Sequence, residues 1–348
     1  MSRRDEGLAF LLRYENVAWY EDGAVRILDR RIYPIRTEFV ICHTYGEVAE
    51  AIADMVTQSG GPYTAAAMGM ALCAYQVRHE TADRALAELT AAAYTLSHAR
   101  PTTSAKMERV TGGALERARA AAAEGVAGME LVEVLRQYAV ERLEKSYADH
   151  DRLAVHLAGV TPTHATVMTQ CFAESIIGAY LRECRREGKE LKLICPETRP
   201  YFQGARLTAS VAQDMGFDVT VITDNMPGYT MKARGVDLFT SAADVITVDG
   251  HIINKVGTFQ IALCAQYWGV PYYVTGAPDP NHPDLSTVRI EERDPALVLD
   301  AMGTKTTLPG VKGFYPAFDI TSPELCKGVV TSKGIFKPDE LSRYFEEL

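Results

Sequence analysis

Residues 163–198, THATVMTQCFAESIIGAYLRECRREGKELKLICPET, decide the fold. THATVMTQC reads as a strand. FAESIIGAYLRECRREG reads as a helix that stops at a glycine, and ELKLICPET as the next strand. The same rhythm continues downstream. GARLTASVAQDMG is helical, DVTVITD a strand and MPGYTMKARG a short helix. VDLFTS and ADVITVDG are strand-like, GTFQIALCAQYWG is helical and VPYYVTG is a strand. Strict alternation of this kind implies a parallel sheet covered on both faces, a doubly wound α/β domain.

Upstream the pattern differs. NVAWY, EDG and AVRILD form a hairpin with an acidic-glycine turn, and TEFVICH follows as another strand. EVAEAIADMV has apolar positions at helical spacing. SGGP at 59–62 breaks the chain, and helices are expected at about 63–79, 81–98, 103–124 and 127–147. The expected organisation is a hairpin plus helical domain over 1–149 and a Rossmann-like domain over 150–348.

Bulk composition narrows the function classes. The chain has 348 residues, 47% hydrophobic and 23% charged, which suits two globular domains. Net charge is −9 with no Lys/Arg-rich block, which argues against a nucleic-acid partner. Seven cysteines are scattered without a CxxC spacing, as in a reduced, cytoplasmic protein without a zinc site. The N-terminus MSRRDEGLAF lacks the apolar core of a secretion signal, and YTAAAMGMALCAY is too short to span a bilayer. No GxGxxG follows the first strand and no GxxxxGK[ST] occurs, so a dinucleotide or P-loop cofactor is disfavoured. The expectation is no cofactor, no metal and no membrane partner.

In doubly wound sheets, ligands sit outside the carboxyl ends of the strands. Those ends carry Gln170-Cys171, Glu197-Thr198-Arg199, Asp224-Asn225, Asp244 and Asp249-Gly250-His251. Cys171 packs as a small hydrophobe in the ordinary case. Ahead of a helix N-terminus it would instead have a lowered pKa and could move a proton near neutral pH. Asp244 is either a turn aspartate or a carboxyl raised by an apolar pocket. Asn254 and Lys255, in NKVGT, cap a helix and snorkel, or they bind a phosphate at its start. Gly60 and Gly61 are a helix break or an anion loop. Arg100 and Arg199, each before a proline, are ion-pair residues or phosphate forks. His251 is a base or plain polar surface. Tyr14, Trp19 and Tyr20 read as core and hairpin packing.

ETRPYFQGARLTA (197–209) and TDNMPGYTMKARGVDLF (223–239) resemble methylthioribose-1-phosphate isomerases, enzymes of methionine salvage. VRILDRRIYP (25–34) and PAFDITSPEL (316–325) resemble the same family. ITVDGHIINKVGT (246–258) is similar to the related ribose-1,5-bisphosphate isomerases. The superfamily also includes the regulatory alpha, beta and delta subunits of translation initiation factor two-B. The resemblance covers nearly the whole chain. It implies a helical N-terminal domain joined to a Rossmann-like domain, usually as a homodimer, and conversion of an aldose 1-phosphate to a ketose 1-phosphate. The family's catalytic cysteine and aspartate fall on Cys171 and Asp244, with Cys171 expected to transfer the C2 proton and Asp244 to act as the acid for ring opening, or the two roles exchanged. Its phosphate and sugar contacts fall on Gly60, Gly61, Arg100, Gln203, Asn254 and Lys255. Three departures stand out: Ser59 replaces an arginine of the phosphate loop, Gln170 and Phe172 replace the usual flanks of the cysteine, and Val245 replaces an arginine after the aspartate. The expected substrate is a 5-substituted ribose 1-phosphate, with methylthio or deoxy at C5. The alternatives are ribose 1,5-bisphosphate, or binding of a sugar phosphate or nucleotide without turnover.

Overall fold

The computed structural model describes residues 3–100 and 104–346. The chain divides after Ala148 into two compact units. Among the described residues no helix is long and apolar enough to cross a membrane.

The first unit opens with a single-turn helix α1 (Tyr14–Val17) and strands β1 (Trp19–Glu21), β2 (Ala24–Leu28) and β3 (Phe39–Cys42). These form an antiparallel sheet in the order β1-β2-β3. Asp22 and Gly23 both have positive φ (48° and 79°), as a tight hairpin turn requires. Helix α2 (Tyr45–Ala53) starts with a capping box in which Thr44 and Glu47 satisfy each other's backbone donors. Helices α3 (Gly61–Gln76), α4 (Ala82–Ser97), α5 (Ser104–Ala123) and α6 (Gly128–Gly159) follow. Apolar residues surround α3 on all sides, and it forms the centre of the unit's core with Met68, Met70 and Leu72 fully buried. Helix α6 runs to Gly159 rather than ending near 147. No glycine or proline interrupts residues 129–158, so nothing local stops it.

The second unit is built on a seven-stranded sheet. Its strands are β4 (His164–Met168), β5 (Glu190–Pro196), β6 (Asp218–Ile222), β7 (Leu238–Ala242), β10 (Tyr272–Thr275), β14 (Gly328–Thr331) and β15 (Gly334–Phe336). The order is β15-β14-β10-β7-β4-β5-β6, and only β15 is antiparallel to its neighbour. The chain moves outward from β4 through β5 to β6. It then returns to the other side of β4 and moves outward again through β7, β10 and β14. That reversal makes a topological switch point between β4 and β7. The connecting helices are α7 (Ser175–Arg186), α8 (Ala209–Asp214), α9 (Pro227–Arg234) and α10 (Thr258–Trp268). Leu193, Leu238, Phe239 and Val274 are buried along the central strands, as expected of a sheet covered on both faces.

One part of the alternation fails. ADVITVDG gives only the two-residue strand β8 (Val245–Ile246), which lies outside the parallel sheet. It pairs with β9 (Ile252–Lys255), and β9 pairs with β13 (Phe318–Thr321), in a separate antiparallel sheet. Asp249-Gly250-His251 is therefore the turn between β8 and β9, not a parallel strand end. Gly250 takes φ 94° there, and a Cβ would lie 2.5 Å from the Pro338 carbonyl oxygen, so the position requires glycine on both counts. A small antiparallel pair, β11 (Asp300–Ala301) and β12 (Thr304–Lys305), lies in the long segment before β13.

Candidate active site

The carboxyl ends of β4 and β7 flank the switch point, and each delivers one candidate. Cys171 lies three residues past β4 and Asp244 two residues past β7. The Cys171 sulfur feels the charges of Lys255, Asp244 and Asp224, so these groups face a common space. A small cavity of about 20 Å³ lies at the same point, lined by Gln170, Cys171, Thr208, Thr240, Ser241 and Thr275 among others.

The backbone at Cys171 is unusual. Its φ is 59°, and helix α7 starts only at Ser175, after Glu174, which also has positive φ. The Cys171 N–H donates to Thr198 Oγ1 at 3.2 Å, and the Thr208 hydroxyl donates to the Cys171 carbonyl. Burial pushes the thiol up to about 11, with Lys255 opposing that rise. The residue keeps some surface, yet desolvation of the sulfur dominates. This corrects the expectation that a helix N-terminus lowers the thiol's pKa. The helix begins too far away, and the dipole field acts over about one turn. Asp244 is exposed, so the apolar pocket expected around it is absent.

Gln170 and Phe172 are both buried. Gln170 Nε2 donates to the Val256 carbonyl at 3.4 Å, linking the end of β4 to the turn before α10. That turn differs from the expected helix start. Asn254 and Lys255 end strand β9, and Gly257 (φ 105°) precedes α10. The cap comes from far along the chain: Asp319 accepts from Gly257 N (2.6 Å) and Phe259 N (3.2 Å). Burial raises Asp319 to about 6. Asn254 does not cap the helix; its Nδ2 donates to Thr258 Oγ1 at 3.0 Å.

Lys255 is 4% exposed. Its Nζ donates to Tyr315 Oη at 3.3 Å and lies 4.9 Å from the Phe318 ring centre, 5.7 Å from that of Tyr315 and 5.9 Å from that of Tyr201. Arg293 stands over two of the same rings, 5.5 Å from Phe318 and 5.9 Å from Tyr201, and pairs with Glu291 at 2.7 Å. Sequence reasoning missed Tyr201, Arg293, Tyr315 and Phe318. ETRPYFQGARLTA contains Tyr201 and PAFDITSPEL contains Phe318, but neither singled out the ring, and no periodicity marks residues 276–316.

Gln203 is buried just before a π-helical turn, Gly204–Thr208, and its Oε1 has no hydrogen-bond partner among the described residues. A side chain at Gly204 would bring Cβ within 1.8 Å of the Pro196 carbonyl oxygen, so the turn requires glycine. Arg199 is not an open fork, because its Nη2 donates to the carbonyls of Val298 (3.4 Å) and Asp300 (2.7 Å). Asp224 is structural: its carboxylate accepts from Thr198 N and Arg199 N, both at 2.7 Å. His251 is held in its turn by Asp249 at 2.9 Å.

In the first unit, Gly60 and Gly61 open α3, and Ser59 before them has φ 60°. A Cβ at Gly61 would lie 1.9 Å from Thr57 Oγ1 and 3.1 Å from Arg30 Nη1. Arg30 is 1% exposed and donates to the Gln58 carbonyl at 2.6 Å, so a buried guanidinium underlies this loop. Arg100 follows α4 and is half-buried. Among the described residues no group of three or more His, Cys, Asp or Glu side chains is placed to hold a metal ion.

The switch-point crevice of this doubly wound α/β unit thus carries a thiol and a carboxyl on adjoining strand ends, with a buried lysine nearby. The Initiation factor 2 subunit family matches residues 59–338, and the chain belongs to that family. It is 35% identical over 338 residues to the methylthioribose-1-phosphate isomerase of Chloroflexus aurantiacus, covering 93% of this chain and 96% of that protein. It is 31% identical over 351 residues to the enzyme of the same name from Thermosipho africanus, covering 97% and 99%. Among solved structures it is similar to 5-methylthioribose 1-phosphate isomerase from Pyrococcus horikoshii, with TM-score 0.82, 27% identity and 94% of each chain covered. The delta subunit of translation initiation factor eIF-2B from A. fulgidus gives a TM-score of 0.77 at 27% identity, covering 93% of this chain and 96% of that one.

Proposed function

We propose that this chain is an aldose–ketose isomerase that converts methylthioribose 1-phosphate, or its 5-deoxy counterpart, to the ribulose 1-phosphate. It works as a cytoplasmic homodimer in methionine salvage. The observation that carries this reading is the pairing of Cys171 and Asp244 across the switch point, in a chain similar over nearly its full length to isomerases of that name.

The anomeric phosphate blocks spontaneous ring opening, so an acid has to protonate the ring oxygen. Burial holds the Cys171 thiol neutral, which suits it to that first step. As the C1–ring-oxygen bond breaks, Asp244 takes the C2 proton and a C1=C2 double bond forms. Asp244 then returns its proton to C1, and the C2 hydroxyl proton goes to the Cys171 sulfur as the ketone forms. The thiol and carboxylate are both restored. Lys255 stabilises the transient thiolate. Gln203, Asn254 and Lys255 are the contacts this unit offers to the phosphate and sugar.

The test is an NMR assay of methylthioribose 1-phosphate, 5-deoxyribose 1-phosphate and ribose 1,5-bisphosphate. Ketose formation from either of the first two is expected. Turnover of the bisphosphate alone would overturn the substrate assignment. Binding of all three without ketose would favour a regulatory protein and overturn the catalytic one.

A further inference from the structure

We propose that Tyr315 is a positioning residue that aims the Lys255 ammonium at Cys171. Lys255 ends strand β9, beside β13, and its long side chain has several rotamers to choose from. Three features restrict that choice. The phenol oxygen of Tyr315 accepts from Nζ at 3.3 Å. The rings of Phe318, Tyr315 and Tyr201 surround the ammonium at 4.9–5.9 Å. Arg293, over Phe318 and Tyr201, brings a second cation beside the Tyr315 phenol. Lysine can only donate, so the phenol oxygen is the acceptor of the Lys255 bond. Tyr315 is 3% exposed and its ring meets that of Tyr201 edge-on at 6.2 Å, so the oxygen has a fixed location.

The charged neighbours show what the aim accomplishes. Cys171 faces Lys255, Asp244 and Asp224, and of these only Lys255 favours the thiolate. Lys255 also faces Asp319. An ammonium released from Tyr315 can swing toward that carboxyl and away from the sulfur. Holding it in place lets the thiolate form when the ring oxygen takes the thiol proton. Tyr315 thus acts through Lys255 and does not exchange a proton itself.

The mechanistic role rests on the isomerase reading, but the positioning claim does not, and the test separates them. In Tyr315→Phe the ring stays and only the oxygen is lost. Iodoacetamide alkylation of Cys171 in the intact protein, followed by peptide mass spectrometry between pH 7 and 9.5, reports the thiolate fraction without any substrate. Cys171→Ser gives the blank. Y315F is expected to slow alkylation about three- to tenfold at each pH, as a thiol pKa higher by about half to one unit produces. Its thermal midpoint should stay close to that of the parent, and kcat for the sugar 1-phosphate should fall with alkylation. Unchanged alkylation overturns the proposal, whether or not the midpoint drops. Slower alkylation in a protein that turns over no sugar phosphate supports the positioning and overturns the isomerase reading instead.

Discussion

The assignment of Cys171 as proton donor is tested most sharply by alkaline pH. An acid must be protonated to act, so activity is lost as pH rises through its pKa and not before. An ordinary thiol at 9.0 would be only about 9% protonated at pH 10, whereas Cys171 at about 11 would be about 90% protonated, a tenfold difference in active enzyme. The quantity to measure is kcat/KM for the sugar 1-phosphate between pH 7 and 10.5, which reports the free enzyme, with circular dichroism at each pH to exclude unfolding. The substrate phosphate ionises near pH ~6 and so does not disturb this range. The expected profile is flat to about pH 10 and then declines as the thiol ionises. A decline centred near 9 would refute the argument that burial controls this thiol. Activity that climbs steadily with pH up to 10.5 would refute the donor role, because it would mean that the thiolate is the working form and acts as the base.

Cys171→Ser and Asp244→Asn should each lower kcat by about 100-fold or more, with little change in thermal midpoint, in the NMR turnover assay. Full activity in both would remove them from the reaction. Gly204→Ala should destabilise by about 1–3 kcal/mol in urea unfolding, because the new Cβ would meet a backbone oxygen at 1.8 Å and the π-helical turn cannot retreat. An unchanged midpoint would show that the turn is not held by Pro196. Asp319 has a folded pKa of about 6, above the unfolded value of 3.8, so the folded state binds the extra proton. Its contribution is therefore present below the unfolded value and is lost as pH rises through the folded one. The stability difference between the parent and Asp319→Asn should shift in favour of the variant between pH 4 and pH 7. A shift in the other direction would contradict the raised pKa.

The alternation from β4 to β7 was legible because each strand and helix there is specified by its own residues. THATVMTQC and DVTVITD need no partner in view to read as strands, and Gly188 and Gly235 stop their helices locally with left-handed φ. What was not legible depends on pairings across long separations. β9 exists because β13 lies beside it, with Lys255 opposite Phe318, some 60 residues on. Without that partner, NKVGT reads as a helix start, and the true cap, Asp319, sits on the same distant strand. The thiol of Cys171 was misjudged for a related reason. Strand-end position suggested a helix dipole, but the sign of the shift is set by desolvation, a property of the packed unit. The resemblance located Cys171, Asp244 and Lys255 as residue types. Its motifs include Tyr201 and Phe318 but did not mark them as the rings around Lys255.

The crevice also carries strain that the rest of the unit must support. Among the described residues eight non-glycine residues have positive φ, and Cys171, Glu174, Thr198 and Phe202 all lie just beyond the ends of β4 and β5. Each costs on the order of 1 kcal/mol or more and persists only where surrounding contacts over-determine it. Those contacts form a chain. Asp224 fixes Thr198 and Arg199 by two 2.7 Å hydrogen bonds, the Thr198 hydroxyl holds the Cys171 N–H, and Thr208 holds the Cys171 carbonyl from the turn that only Gly204 allows. Asp224 looked like a ligand-binding group because it ends a parallel strand. Its two oxygens are instead committed to backbone donors, and Thr198 links it to the Cys171 main chain. The Cys171 main chain is thereby held on both sides, at its N–H and at its carbonyl, which sets the direction in which its side chain leaves the backbone at the switch point.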